Sequence, residues 1–292
     1  MTAATLRNRL LSRGPLDLLV QVLLLAGAYT AWRWARGAVA PDDLATAFAN
    51  GRDLVSLERS LHTLVEVDVQ RWALDTGWPA EVARWGYANL HFKGSCLALA
   101  VTYFGFRGSY GFLRNAVFAA MVLSVLCYWL YPTAPPRFLA ELGLDGAPSV
   151  TGNNPLLTDP GNVFFNPVAA VPSMHAGLAT IFAVTLGMLV RPRWLKAILF
   201  AYPLFMTYIV VATGNHYWID ALFGVMVAAA AAGIAIGLGR LNPDWAFRGG
   251  PDFAPEEPAA ESKSTASDGP PLAARRSQSS RPMARLSERS TE

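Results

Sequence analysis

Residues 219–239 read IDALFGVMVAAAAAGIAIGLG, and past Asp220 the stretch carries no charged side chain. A helix needs about 20 apolar residues to cross the hydrocarbon core of a bilayer, and this run supplies them. Similar runs lie upstream at Leu16–Trp34, Trp85–Phe106, Asn115–Tyr131, Met174–Val190 and Leu195–Thr213. Of the 292 residues, 53% are hydrophobic and only 15% charged. A soluble domain has about a quarter charged residues. The expected fold class is all-α: an integral membrane bundle of six transmembrane helices.

The runs divide the chain into an N-terminal segment (1–14), a membrane domain (15–240) and a tail (241–292). Within the domain, residues 36–84 form an acidic region containing Asp42, Asp43, Asp53, Glu58, Glu66, Asp68, Asp75 and Glu81. Leu54, Leu57, Leu61, Leu64 and Val65 recur there at helical spacing. They predict an amphipathic helix, either lying on the membrane surface or packed on the end of the bundle. The tail is rich in Pro, Ser, Ala, Glu and Arg and is expected to be disordered, because it has little apolar surface to offset its ordering entropy. A signal peptide cut near Ala26-Gly27-Ala28 is the alternative for the first run, which however continues apolar to Trp32.

With six crossings, Arg7, Arg9, Arg13, Arg107, Arg114, Arg191, Arg193, Lys196 and Arg240 fall on one side. The acidic region falls on the other, with a long loop from Pro132 to Ser173 whose one basic residue is Arg137. Basic connectors stay on the cytoplasmic side, so both termini are expected there, in the cytoplasmic membrane of a cell. The net charge of +3 fits membrane orientation better than nucleic-acid binding. Cys96 and Cys127 lie in apolar runs and read as packing residues, not as a disulfide or metal pair.

Three polar clusters are expected at the outer surface. The first is Pro132-Thr133-Ala134-Pro135-Pro136-Arg137, the second Pro172-Ser173-Met174-His175-Ala176-Gly177, the third Gly214-Asn215-His216-Tyr217-Trp218-Ile219-Asp220. Serine before a helix caps free amides, and the same amides attract phosphate, so Ser173 and the Met174 N–H are candidate phosphate ligands. His216 and Asp220 share one helical face, where the carboxylate can take the Nδ1 proton and leave Nε2 as a nucleophile. A structural His–Asp pair is the plainer alternative. The planar fork of Arg137 suits a phosphoryl group, or else an interfacial anchor.

In this order and at these run ends, the clusters resemble the phosphatidic acid phosphatase type 2 (PAP2) superfamily. The Thr-Ala-Pro-Pro-Arg and Asn-His-Tyr-x-x-Asp forms resemble its inositolphosphotransferase branch, which includes fungal inositol phosphorylceramide synthase. The resemblance spans roughly Leu57 to Gly237. It implies that His216 forms a phosphohistidine, that Asp220 orients it, and that His175 protonates the leaving oxygen and later serves as base. It also implies that Arg137 and Ser173 stabilise the phosphoryl charge, with no metal and no cofactor. Two cations of the superfamily pattern are missing, since Leu130 and Val210 stand in their places. Lys93, near Tyr87, Asn89 and His91, is a candidate substitute, and all four with Asn215 are candidate substrate contacts.

The expected activity is transfer of a phosphate-containing group from a phospholipid or related donor to an alcohol. The alternative is a lipid phosphate phosphatase, with water as acceptor. A lipid transporter is the remoter reading, because transport paths place ionisable groups deep within spans and the last four runs have none there. Neutral His216 as nucleophile and protonated His175 as acid predict a bell-shaped pH dependence.

Overall fold

The computed structural model describes residues 14–144, 164 and 166–248. Among these are eight α-helices, here α1 (Gly14–Ala38), α2 (Ala45–Ser60), α3 (Glu66–Thr76), α4 (Trp78–Gly105), α5 (Arg107–Leu130), α6 (Met174–Leu189), α7 (Arg193–Ala212) and α8 (Trp218–Leu241). Short 3-10 turns follow at Pro136–Phe138, Ala140–Leu142 and Pro243–Trp245. No strand is present among the described residues; an isolated parallel bridge joins Thr133 to Ala169.

Each apolar run forms one long helix. Four of them, α1, α5, α7 and α8, are long and apolar enough to cross a membrane. The other two of the six expected spans differ. Helix α6 has 16 residues, a length of about 24 Å. Helix α4 has 28 residues, but it carries Glu81, Arg84 and Lys93. It starts earlier than expected because Gly77, at φ 84°, breaks the chain and Pro79 supplies a favoured helix-start residue. Ala26–Ala28 lies midway along the unbroken α1.

Helix α6 is buried nearly all round, as a helix apolar on every face must be. Met174, Leu178, Ile181 and Phe182 pack with Leu113, Val117, Ala228 and Ala231 in the central core. Glycines let α6 and α8 touch backbone to backbone. A Cβ on Gly224 would stand 2.3 Å from the Ser173 carbonyl oxygen, and one on Gly177 would stand 2.9 Å from the Gly224 carbonyl. Ser173 N–H also donates to the Asp220 carbonyl at 3.0 Å. The second and third sequence clusters therefore meet. By contrast, Leu16, Leu19, Val22 and Leu23 of α1 are exposed, which suits a helix whose solvent is lipid.

The acidic region forms two helices on the bundle end. His62, at φ 57°, lies in the link between them. The buried stripe of α2, Ala47, Gly51, Leu54, Val55 and Glu58, faces inward. Leu54 and Val55 pack with Leu139, Leu142, Tyr217 and Ile219, while Leu57 and Leu61 stay exposed. Packing on the bundle end, and not lying free on a membrane surface, is thus the arrangement found.

The start of the expected disordered tail is also ordered. Phe247 stacks edge-on against Phe112 at 5.2 Å, and Ser109 Oγ donates to the Arg248 carbonyl at 2.9 Å. Residues 249–292, the N-terminal arginines, and Asp145, Asn153, Asn154, Asp159 and Asn162 of the long loop lie outside the described residues.

Candidate active site

Where α5, α6 and α7–α8 come together, a cavity of about 480 Å³ opens, lined by Arg33, Arg36, Tyr87, His91, Arg137, Met174, His175, Asn215 and His216 among others. Its walls are set by loop hydrogen bonds. Thr133 N–H donates to the Val168 carbonyl at 2.7 Å, and Ala170 N–H to the Thr133 carbonyl at 3.2 Å. Ala134 N–H reaches the Ala47 carbonyl at 2.9 Å, and the Tyr217 hydroxyl donates to the Ala134 carbonyl at 3.0 Å. The proline-rich first cluster is thereby held against both α2 and the turn bearing His216.

His216 is buried with its Nδ1 2.8 Å from the Ala170 carbonyl oxygen and 3.3 Å from Asp220 Oδ2. A carbonyl can only accept, so Nδ1 carries the proton and Nε2 keeps its lone pair. The nearer acceptor is the backbone, a partner that sequence spacing does not reveal. Asp220 divides its service: Oδ2 also accepts from Tyr217 N–H at 3.0 Å, closing the first turn of α8. Burial, followed by the charges of Arg137 and Arg36, pushes the His216 pKa down to about 3, against the raising effect of the Ala170 hydrogen bond. His216 is therefore neutral through the physiological range.

The His175 ring lies 5.7 Å from that of His216 in an edge-on arrangement. It stacks on Tyr87 at 4.6 Å and meets His91 at 4.2 Å. Arg137 is anchored twice: its N–H donates to the Gly214 carbonyl at 3.0 Å, and Nη1 donates to Asn215 Oδ1. Gly214 has φ 63°, which favours glycine, and a Cβ there would also stand a tight 3.3 Å from both Arg137 Cβ and Gln70 Nε2. Burial lowers the Arg137 pKa. The guanidinium still remains charged.

His175, His216, Arg137, Met174, Asn215, Tyr87 and His91 thus converge on one cavity. Other expected residues stand elsewhere. Ser173 is fully buried as the α6 cap, its Oγ accepting from Ala176 N–H at 3.5 Å, and it does not line the cavity. Lys93 Nζ donates to Asn89 Oδ1 at 2.7 Å on an exposed face of α4, and neither lines the cavity. Arg33 and Arg36, which the sequence reading passes over, do line it.

The start of α8 is held by carboxylates from outside the bundle. Trp218 N–H donates to Glu66 Oε1 at 2.7 Å and Ile219 N–H to Glu58 Oε1 at 3.4 Å. Both side chains are fully buried and neither joins an ion pair among the described residues. Burial first, then the charge of Glu66, raises the Glu58 pKa to about 9; burial raises that of Glu66 as well. The two buried carboxyls interact, which favours the protonated form of Glu58.

A second cavity, of about 530 Å³ and almost wholly apolar, runs between α1, α4 and α5, lined by Val22, Leu25, Phe92, Leu99, Phe104 and Val117 among others. It shares Tyr29, Trp32, His91 and Met174 with the first. Among the described residues no group of three or more His, Cys, Asp or Glu could hold a metal ion.

An all-α bundle with four membrane-length helices, in which two histidines and an arginine gather around one cavity, has the make-up of a membrane protein. The PAP2 superfamily model matches residues 52–234, and the chain belongs to that superfamily. Its members are phosphatases and phosphotransferases acting on lipid phosphates, which makes the chain an enzyme at that general level. No curated protein and no solved structure matches it.

Proposed function

We propose that the chain is a membrane phosphotransferase of the inositolphosphotransferase kind, acting on a phospholipid or related lipid-phosphate donor through a phosphohistidine. The observation that carries this reading is the fixed Nδ1–H of His216. It leaves Nε2 unprotonated beside His175 and Arg137, in a polar cavity that shares lining residues with an apolar one. The polar cavity accommodates the phosphate and the apolar cavity a hydrocarbon chain.

In the first step His216 Nε2 bonds to phosphorus as the bond to the leaving oxygen breaks, and His175 gives that oxygen its proton. In the second, an acceptor hydroxyl attacks the phosphorus, His175 takes its proton, and the P–N bond breaks. Arg137 offsets the charge on the non-bridging oxygens. Residues 15–240 form the catalytic unit. Six crossings with both termini cytoplasmic, in the cytoplasmic membrane, put the site on the outer side, in keeping with Arg107, Arg114, Arg191, Arg193 and Arg240 at the opposite helix ends.

The test uses wild type and His216→Ala with radiolabelled phosphatidylinositol and phosphatidic acid, with and without diacylglycerol, ceramide and inositol-type alcohols. Label moving into a new lipid or sugar ester only when an alcohol is present supports the transferase. Release of free phosphate by wild type alone makes the enzyme a phosphatase. The absence of any His216-dependent product from every donor overturns both.

A further inference from the structure

The superfamily match begins at residue 52, after the end of α1, yet α1 brings two guanidinium groups to the cavity wall. Arg33 and Arg36 lie on its last turns, three residues apart and so on one helical face. Both line the cavity, where the other arginine among the described lining residues is Arg137.

Arg36 is the better placed of the two. Its carbonyl accepts from Asn166 Nδ2 at 3.0 Å, which ties the end of α1 to the loop leading into α6. Its guanidinium lies against the Trp32 ring, 5.5 Å from the centroid. Trp32 in turn donates from Nε1 to Ser124 Oγ of α5 at 3.0 Å, so the aromatic support is fixed. Arg36 Nε is buried and makes no hydrogen bond among the described residues. A buried guanidinium N–H without an acceptor costs free energy that a bound anion would return.

The two cations absent from the superfamily pattern are not restored where the sequence suggested. Leu130 is exposed and Val210 fully buried, neither lines the cavity, and Lys93 is held by Asn89.

We propose that Arg36 is a phosphate-binding residue of this site, assisted by Arg33, and that α1 is a working part of the active site although it lies outside the superfamily core. The group recognised is the phosphate of the donor, held between Arg36 on α1 and Arg137 beside His216. This inference rests on the phosphoryl-transfer reading above but not on the identity of the acceptor.

Two measurements on the purified full-length chain test it. The first is binding of orthovanadate and inorganic phosphate, followed by thermal stabilisation in detergent and requiring no turnover. The second is steady-state kinetics on the donor found active. Arg36→Met is expected to weaken anion binding and raise KM about 10- to 100-fold, with Arg36→Lys intermediate. Arg33→Met should have a smaller effect of the same sign. Asn166→Ala, which keeps the guanidinium but removes the amide bonded to the Arg36 backbone carbonyl, separates folding from binding: it should retain more anion affinity than Arg36→Met. Wild-type affinity and KM in a folded Arg36→Met overturn the inference. If wild type binds anions through Arg36 yet turns over no lipid phosphate, the proposed activity fails and the anion site stands.

Discussion

Gly224 of α8 lies so close to Ser173 of α6 that a Cβ on it would stand 2.3 Å from the Ser173 carbonyl oxygen, which no side-chain rotation can relieve. This crossing sets the distance between His175, two residues past Ser173, and His216, eight residues before Gly224. A change at Gly224 should therefore reach both stability and chemistry. Gly224→Ala is expected to lower stability by about 1–3 kcal/mol. It should also reduce kcat by more than it alters KM, as read by thermal unfolding and kinetics in detergent. Gly237→Ala, on the same helix with nothing within 4 Å of its Cβ position, is the control and should be neutral or slightly stabilising.

Glu58 and Glu66 give a pH dependence whose sign follows from their shifted titration. Glu58 has a folded pKa of about 9 against 4.5 when unfolded, so between these values the folded chain holds the extra proton. Stability contributed by the neutral pair is present below pH 4.5 and is lost as pH rises towards about 9. The groups acting on the pair are Asp220 of α8 and Tyr217 beside it, with Glu141 also near Tyr217; none of them supplies positive charge. Glu58→Gln keeps an acceptor for Ile219 N–H and a donor for Glu66, and should flatten the alkaline loss of stability and activity. Glu58→Ala should lower kcat at every pH. An unchanged alkaline limb in Glu58→Gln would contradict a protonated Glu58.

Buried His216 acts in the opposite direction. Its folded pKa of about 3 lies below the unfolded 6.5, so the folded chain loses stability as pH falls through that interval. With His216 neutral, kcat/KM should show no limb from this residue above pH 5. The expected profile stays level on the acid side until near that pH and falls on the alkaline side. A limb near pH 6.5 that coincides with titration of the His216 ring followed by NMR would contradict this.

Asp220→Asn measures who holds the tautomer. Because the Ala170 carbonyl is the nearer acceptor of the His216 Nδ1 proton, the correct tautomer should survive the change. The expected loss in kcat is about 10- to 100-fold, the worth of one charged hydrogen bond. A loss of about 10⁴-fold, as when a triad aspartate alone fixes the imidazole, would move that role to Asp220.

The helices were legible because long apolar runs are a one-dimensional signal. His175, His216 and Arg137 were legible because clusters at successive run ends must meet when helices alternate in direction. The site's other parts depend on side-chain direction, which spacing does not carry. Arg33 falls within the first apolar run and Arg36 just past it, with no polar cluster to single them out, and only the packing of α1 brings them to the cavity. Lys93 and Asn89 sit one helical turn apart and bond to each other, while Tyr87 and His91 on the same helix turn into the cavity. Glu58 and Glu66 read as surface acids because nothing local marks them as partners of α8, 161 and 152 residues away respectively. Ser173 was expected to hold phosphate, but the close approach of Gly224 puts it inside the helix joint.

The most direct measurement is to trap the covalent intermediate. Wild type and His216→Ala are mixed with a donor labelled in its phosphate, quenched within a turnover in alkali, and digested for peptide mapping. The account predicts an acid-labile, alkali-stable label on the peptide containing His216 and none in His216→Ala. Label on a different residue, or steady turnover by wild type without any trapped label, would contradict a phosphohistidine at His216.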